Sequence, residues 1–136
     1  MTMSAAEMKA RYLAYLDALL HPDALPPLLA DGFVAHDLPP GVSLPDFRRR
    51  ALAALPDTEV DVLHLAADGD LVAAHLRLRG THRGVLRGIP PTGRALSAEL
   101  FDLVRFDGDG KVAERWGLLD WDALYQQMGV TALPPG

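Results

Sequence analysis

Residues 95–120 read ALSAELFDLVRFDGDGKVAERWGLLD, and this stretch decides the fold. Apolar and polar side chains alternate through 95–107 and again through 111–119, which is the period of a β-strand. The intervening Asp107-Gly108-Asp109-Gly110 is typical of a hairpin turn. The stretch therefore predicts two long antiparallel strands joined by a tight connection.

The same alternation continues upstream over 58–67 and 70–82, with Asp68-Gly69 as the turn between them. Before residue 58 the apolar period is helical instead. Helices are predicted over 4–20, over 23–29 with Asp23 as a cap, over 43–55 and finally over 121–128, and a short extended segment is predicted at 33–37. These elements predict an α+β fold with three N-terminal helices, a curved and mainly antiparallel sheet, and a short C-terminal helix.

Length and composition limit the classes of protein that this chain can belong to. Its 136 residues are enough for one core, so we predict a single domain over 1–136. The net charge is −5 and lysine occurs only twice, so we expect no nucleic-acid partner. Cysteine is absent, which favours a reducing, cytoplasmic location, and no apolar run approaches the roughly 20 residues of a membrane span.

Several short motifs carry a resemblance to a known family. They are Gly80-Thr81-His82-Arg83-Gly84, Gly88-Ile89-Pro90-Pro91-Thr92-Gly93-Arg94, Arg105 before Asp109-Gly110-Lys111-Val112, Glu114-Arg115-Trp116 with Asp120 following, and Phe33-Val34 before His36-Asp37. In these motifs, and over nearly the whole chain, the sequence resembles the SnoaL-like polyketide cyclase family. The resemblance implies the cone-shaped α+β barrel of nuclear transport factor two, ketosteroid isomerase and scytalone dehydratase, a fold that hosts unrelated activities.

The resemblance also implies a reaction and a residue for it. The family closes a ring by an intramolecular aldol step that needs no metal or cofactor, and it places the general acid/base at Asp120. Strand alternation puts Trp116 and Asp120 on one face of the last strand unless a bulge intervenes. If that face lines the cavity, the apolar wall raises the pKa of the Asp120 carboxyl, and Trp116 is a candidate for contact with the substrate. The alternative for Asp120 is a cap on the terminal helix. The family often has His at the position of Arg115.

Other residues are candidates for contact with a substrate. His36 and Asp37 follow an apolar strand and precede a proline-rich loop, so they lie either at the mouth of the cavity or in a surface loop. Asp102 shares its strand face with apolar residues and needs a partner, for which Arg115 is a candidate by charge, or it serves the pocket. Tyr12 lies on the core side of the first helix, so its hydroxyl needs a partner in the core or in the pocket.

Three readings of the function remain. The first is a cofactor-free acid/base enzyme acting on a polyketide-like carbonyl compound, as an aldol cyclase or isomerase. The second is a non-catalytic protein that binds a small ligand in the cone. The third is an epoxide hydrolase-like activity, which in a related cone family uses an asparagine, and this chain has none. No pattern of histidines indicates a metal site. Relatives of the fold commonly pair through the outer sheet face, so a homodimer is expected.

Overall fold

The structure, a computed structural model, describes residues 3–130. Its elements are α1 (Ala5–Leu19), β1 (Leu29–Ala35), α2 (Leu44–Ala54), β2 (Glu59–Asp68), β3 (Leu71–Thr81), β4 (Ala95–Phe106), β5 (Val112–Leu119) and α3 (Trp121–Gln127). The second predicted helix is wrong as an α-helix. Two 3₁₀ turns, Pro22–Ala24 and Pro26–Leu28, stand there because proline offers no N–H for an α-helical ladder.

Serine hydroxyls start both long helices where the sequence predicted. Ser4 Oγ accepts a hydrogen bond from the backbone N–H of Glu7 at 3.1 Å, and Ser43 Oγ accepts one from Asp46 at 3.2 Å. Each contact pairs one of the backbone donors that a helix leaves free at its N-terminus. The caps fix where α1 and α2 begin, while the apolar side of each helix decides which face it turns to the sheet.

The five strands form one open sheet in the order β1-β5-β4-β3-β2. Neighbouring strands pair antiparallel, except that β1 runs parallel to β5. Helix α1 packs on the inner face, where Tyr12 and Tyr15 are fully buried. The predicted class, an α+β fold with a mainly antiparallel sheet wrapped over the first helix, is confirmed.

Buried apolar side chains form two separate clusters on the inner face. The larger cluster joins α1 to the middle of the sheet and includes Met8, Leu76 and Val104. The smaller cluster joins the ends of α2 and α3 to the start of β4 and includes Leu55 and Leu124. Burial of this kind contributes about 25 cal/mol per Å² of apolar surface, so these two clusters hold the helices on the sheet.

A β-bulge in β5 overturns one sequence prediction. Val112 pairs with Phe106, but Glu114 pairs with Arg105, so Ala113 is an extra residue in the ladder. Such an insertion moves every following side chain to the other face of the strand. Val112 is therefore buried, while Arg115 rather than Trp116 points inward. The predicted inward face, with Trp116 and Asp120 on it, is wrong.

Candidate active site

A group of polar side chains lies between α1 and the inner face of the sheet; four of them are buried, and the fifth, Asp37, has a side chain that is 17% exposed. Its members are Tyr12 and Tyr15 from α1, Asp37 from the loop after β1, Asp102 from β4, and Arg115 from β5. We call these five residues the interior polar cluster. Buried polar groups are costly unless they are paired, so their hydrogen bonds decide what the cluster can do.

Asp102 and Tyr12 form a buried pair at the centre of the cluster. The Tyr12 hydroxyl donates to Asp102 Oδ2 at 2.8 Å, and the side chains are 0% and 3% exposed, respectively. Asp102 Oδ1 is buried and has no hydrogen-bond partner among residues 3–130. One oxygen of this carboxyl is therefore held in place, and the other is left without a hydrogen bond.

Burial controls the protonation of this pair. Burial raises the pKa of Asp102, although the positive charge of Arg115 and the hydrogen bond from Tyr12 oppose the rise. Burial and the adjacent carboxyl also raise the pKa of Tyr12 well above its ordinary value, so the phenol keeps its proton. Asp102 therefore holds a proton at a higher pH than an exposed aspartate does.

Arg115 lies beside the pair, and each of its three nitrogens donates a hydrogen bond. Its Nε and Nη2 donate to the two oxygens of Asp37 at 3.0 and 2.6 Å, and its Nη1 donates to the Tyr15 hydroxyl at 3.0 Å. Burial opposes the charge of Arg115, but Tyr15, Asp102 and Asp37 together outweigh it and raise its pKa. Tyr15 accepts from Arg115, so its own hydroxyl hydrogen remains available to donate.

The backbone at Gly117 makes room for this ion pair. A Cβ atom on Gly117 would lie 2.7 Å from Asp37 Oδ2 and 3.0 Å from Arg115 Nη2. Real Cβ atoms do not approach so closely, so any larger residue here would displace the Asp37 carboxylate. The loop carboxylate therefore covers the inner face of β5 where a side chain would otherwise stand.

Arg48, which approaches the cluster from α2, is not among the residues predicted from the sequence. Arg48 follows Leu44 by four residues and precedes Ala51 by three, so it lies on the inward stripe of the helix. Its Nε donates to the carbonyl of Leu19 at 2.9 Å. Burial and the nearby charge of Arg115 lower the pKa of Arg48 to about 10. An arginine within an apolar helical stripe is the signal that could have identified it.

Two predicted substrate residues lie on the outer side of the sheet. The rings of His36 and Trp116 stack with their centroids 4.8 Å apart, and His36 Nε2 lies 2.6 Å from Glu114 Oε2. Trp116 is 36% exposed. Hydrogen bonds from His36 and Arg105 lower the pKa of Glu114. Of the residues predicted from sequence, the structure thus brings Tyr12, Asp37 and Asp102 together and leaves His36 and Trp116 apart from them.

Asp120 stands at the start of α3 and is exposed. Its Oδ1 accepts a hydrogen bond from the backbone N–H of Ala123 at 3.1 Å, so the side chain caps the helix. This is the alternative position that the sequence left open. The capping contact explains why an aspartate is favoured here and assigns Asp120 no contact with the interior polar cluster.

A metal centre, a membrane-spanning helix and a surface cleft are other features that could define a site. No three His, Cys, Asp or Glu side chains within residues 3–130 are grouped so that they could hold a metal ion. None of the helices in that range is both long and apolar enough to cross a lipid bilayer. Two clefts lie away from the interior polar cluster. One, of about 330 Å³, is lined by Met8 and Phe106 among others, and the second, of about 380 Å³, by Asp57 and Arg79 among others. The candidate site is therefore defined by its buried groups.

Known proteins share this architecture. AclR of Streptomyces galilaeus, a candidate hydroxylase, superimposes with a TM-score of 0.84 over 97% of this chain and 87% of its own, at 27% sequence identity. Nogalonic acid methyl ester cyclase of Streptomyces nogalater is 28% identical over 114 residues, which are 84% of this chain and 83% of that enzyme.

The family follows from the sequence match. Aklanonic acid methyl ester cyclase DnrD of Streptomyces peucetius is 34% identical over 73 residues, 54% of this chain, and the match spans only 50% of that enzyme. Residues 9–128 match the sequence profile of SnoaL-like polyketide cyclases, which covers most of the chain and includes every member of the interior polar cluster. On this match, the chain belongs to the SnoaL-like polyketide cyclase family.

Proposed function

We propose that this chain is a cofactor-free acid/base enzyme that closes a ring in a polyketide-like carbonyl compound by an intramolecular aldol step. The observation that carries the proposal is the buried Tyr12–Asp102 pair, in which Asp102 Oδ1 is left without a partner. Two relatives named as methyl ester cyclases support the choice of substrate class. The small-molecule partner is therefore a polycyclic or ring-forming ketone.

Asp102 has the properties that an acid/base group needs. A general base works best when its pKa is close to the operating pH, and burial moves the pKa of this carboxyl upward from the ordinary range. Tyr12 fixes the orientation of the carboxyl through Oδ2, so Oδ1 presents a constant geometry to the substrate. In ketosteroid isomerase, a tyrosine and a buried, protonated aspartate donate hydrogen bonds to the oxyanion, which is the donor half of the role proposed for this pair.

The steps follow from these positions. Ionised Asp102 removes a proton from a carbon between two carbonyls, and the resulting enolate forms a bond to a ketone carbon within the same molecule. The new alkoxide then receives the proton back from Asp102. Arg115 and the free hydroxyl hydrogen of Tyr15 stabilise negative charge on oxygen during both steps. The product has the same mass as the substrate, because the reaction only rearranges bonds.

The role of Asp120 implied by the family resemblance stays a prediction, and one experiment compares the two carboxyls. Nogalonic acid methyl ester is incubated with the wild type, with Asp102→Asn and with Asp120→Asn, and the products are separated by chromatography and weighed by mass spectrometry. We expect Asp102→Asn to lower kcat by about 10²- to 10⁴-fold while substrate binding persists. Asparagine caps a helix as well as aspartate does, so Asp120→Asn should fold normally.

The possible outcomes separate the readings. A loss confined to Asp120→Asn would move the acid/base role to Asp120. Binding of the substrate by all three proteins without turnover would identify a ligand-binding protein instead of an enzyme. A product heavier by one oxygen atom would indicate hydroxylation and would contradict the aldol step.

We further propose that the partner of the outer sheet face is a second copy of the chain. Two rows of side chains cross this face through directly paired strand positions: His64, His75, Phe101 and Leu118 in one row, and Ala66, Ala73, Leu103 and Trp116 in the other. Phe101 and Leu118 are 55% and 75% exposed. Ion pairs flank the rows, with Arg77–Glu99 on one side and Arg105–Glu114 on the other. An apolar centre with a rim of positively and negatively charged side chains suits an interface between two identical surfaces.

A further inference from the structure

Arg48 has the environment of a cation without a counterion. Every Asp or Glu side chain in residues 3–130 lies beyond ion-pair distance from its guanidinium, whereas Arg49, the next residue, pairs with both Asp23 and Asp46. Arginine is rarely placed on the inward face of a helix unless it is paired. The charge on Arg48 is therefore unusual within this fold.

The neighbouring groups do not neutralise this charge. Among the charged side chains, Arg115 has the largest effect on Arg48, and it repels, whereas Asp102 attracts less strongly. The carboxylate that could compensate, Asp37, is already bound through both oxygens to Arg115. Asp102, with its raised pKa, supplies less negative charge than an exposed aspartate would. The inner face beside the Tyr12–Asp102 pair consequently carries an excess of positive charge.

The guanidinium is nevertheless held in a fixed position. Its Nε donates to the carbonyl of Leu19 at the end of α1, at 2.9 Å. This contact uses one of five donor hydrogens, and neither terminal nitrogen has a hydrogen-bond partner in the part of the chain that the structure describes. Neither nitrogen is a fully buried unpaired atom, so both remain open to solvent and to a ligand. Two parallel N–H groups match the two oxygens of a planar, delocalised anion.

We propose that Arg48 forms an anion-binding subsite, which takes a carboxylate or an ionised enol of the ligand and orients it toward Asp102. The inference depends on the proposed function only for the polyketide-like nature of the ligand. An enzyme that builds an enolate gains from such a subsite, because a substrate anchored by one oxyanion is held with its reacting carbons in a fixed place. Arg48 is thus assigned a role in substrate specificity.

Two matched pairs of probes test the subsite by isothermal titration calorimetry. Anthraquinone-2-carboxylate is compared with its methyl ester, and 2-hydroxy-1,4-naphthoquinone, ionised at neutral pH, with its 2-methoxy ether. We expect the wild type to bind each anion about tenfold or more tightly than its methylated partner, as for a hydrogen bond to a charged group. The carboxylate pair and the enol pair show which oxyanion fits better.

Variants then locate the preference. Arg48→Met should lose the preference for anions, and Arg48→Lys should retain part of it, since lysine keeps the charge without the paired donors. Arg50→Met is the matched control, because Arg50 is exposed two positions along the same helix, and it should behave as the wild type. Thermal unfolding of each protein shows whether the loss of the Leu19 contact has unfolded it, in which case Arg48→Lys carries the test.

Three results would overturn the inference: no binding of either anion by the wild type, equal binding of anions and methylated probes, or an unchanged preference in Arg48→Met. In the last case Arg48 only caps the end of α1. The test of the subsite and the test of the proposed reaction can fail independently of each other. Asp102→Asn should keep the preference for anions, so an absence of ring closure leaves the subsite standing, and loss of the subsite leaves the Asp102 assay unaffected.

Discussion

At the scale of single residues, the proposed acid/base reaction depends on the environment of one carboxyl, that of Asp102. Asp102 faces the core because its strand position matches those of Leu100, Val104 and Phe106, and within residues 3–130 only the Tyr12 hydroxyl donates a hydrogen bond to its side chain. In a buried carboxyl with a single hydrogen-bond donor, the ionised form is disfavoured and the protonated form is favoured. Its protonation must therefore be coupled to the stability of the whole protein.

This coupling predicts how stability changes with pH. The pKa of Asp102 is raised on folding, so its favourable contribution is complete below the unfolded value of about 3.9 and is lost as the pH rises through the folded value. Asp102→Asn cannot ionise, so its free energy of unfolding should increase relative to the wild type as the pH rises above about 4, by at most about 1.4 kcal/mol per pH unit.

Urea denaturation of both proteins between pH 4 and pH 8 measures the difference. Asp122→Asn, which alters an exposed carboxyl at the start of α3, serves as the control and should follow the wild type closely. A difference between Asp102→Asn and the wild type that stays constant over this range would mean that Asp102 is not buried as described.

At the scale of elements, β5 places the charged side of the site. The bulge at Ala113 turns Arg115 inward, and Gly117 leaves space over the strand for the carboxylate that Arg115 binds. The edge pairing with β1 brings Asp37 to this point, since Ala35 lies directly opposite Arg115. Three local features of one strand edge therefore produce the ion pair.

Gly117→Ala tests this arrangement. The added methyl group would stand 2.7 Å from Asp37 Oδ2, so the carboxylate must move and Arg115 loses part of its partner. We expect a decrease of about 1–3 kcal/mol in the free energy of unfolding, measured in urea. Gly108→Ala is the matched control, because a Cβ there meets no atom within 4 Å. Equal stability of the two variants would contradict the described packing around Gly117.

Sequence patterns predicted most elements but not the geometry of β5. Strand alternation and serine caps located β2 to β5 and both long helices, because these signals are local and periodic, whereas β1 begins four residues before the predicted extended segment. The position of the bulge escaped prediction since nothing in Lys111-Val112-Ala113 marks an extra residue, yet the bulge reverses the faces of Arg115 and Trp116. The Tyr12–Asp102 contact joins residues 90 positions apart, so it could be anticipated only as two polar groups in need of partners.

At the scale of the whole molecule, the open sheet has two different faces. The inner face is covered by α1 and α2 and holds the interior polar cluster. The outer face carries the two rows of side chains defined above, one of which includes the exposed Phe101 and Leu118, and none of the described helices covers them. Exposed apolar side chains that are contiguous and rimmed by charges usually mark a contact with another molecule. We therefore propose the inner face for the chemistry and the outer face for the assembly.

The proposed homodimer is tested by light scattering coupled to size-exclusion chromatography at about 10 µM. The wild type should have a mass twice the 14.7 kDa of one chain. Leu118→Lys places a charge in the centre of the apolar row, where burial without a partner is costly, so this variant should be monomeric. Val85→Lys alters a residue of similar exposure, 64%, in the loop after β3, and should remain dimeric. A monomeric wild type, or a dimer that survives Leu118→Lys, would show that the copies do not pair through this face.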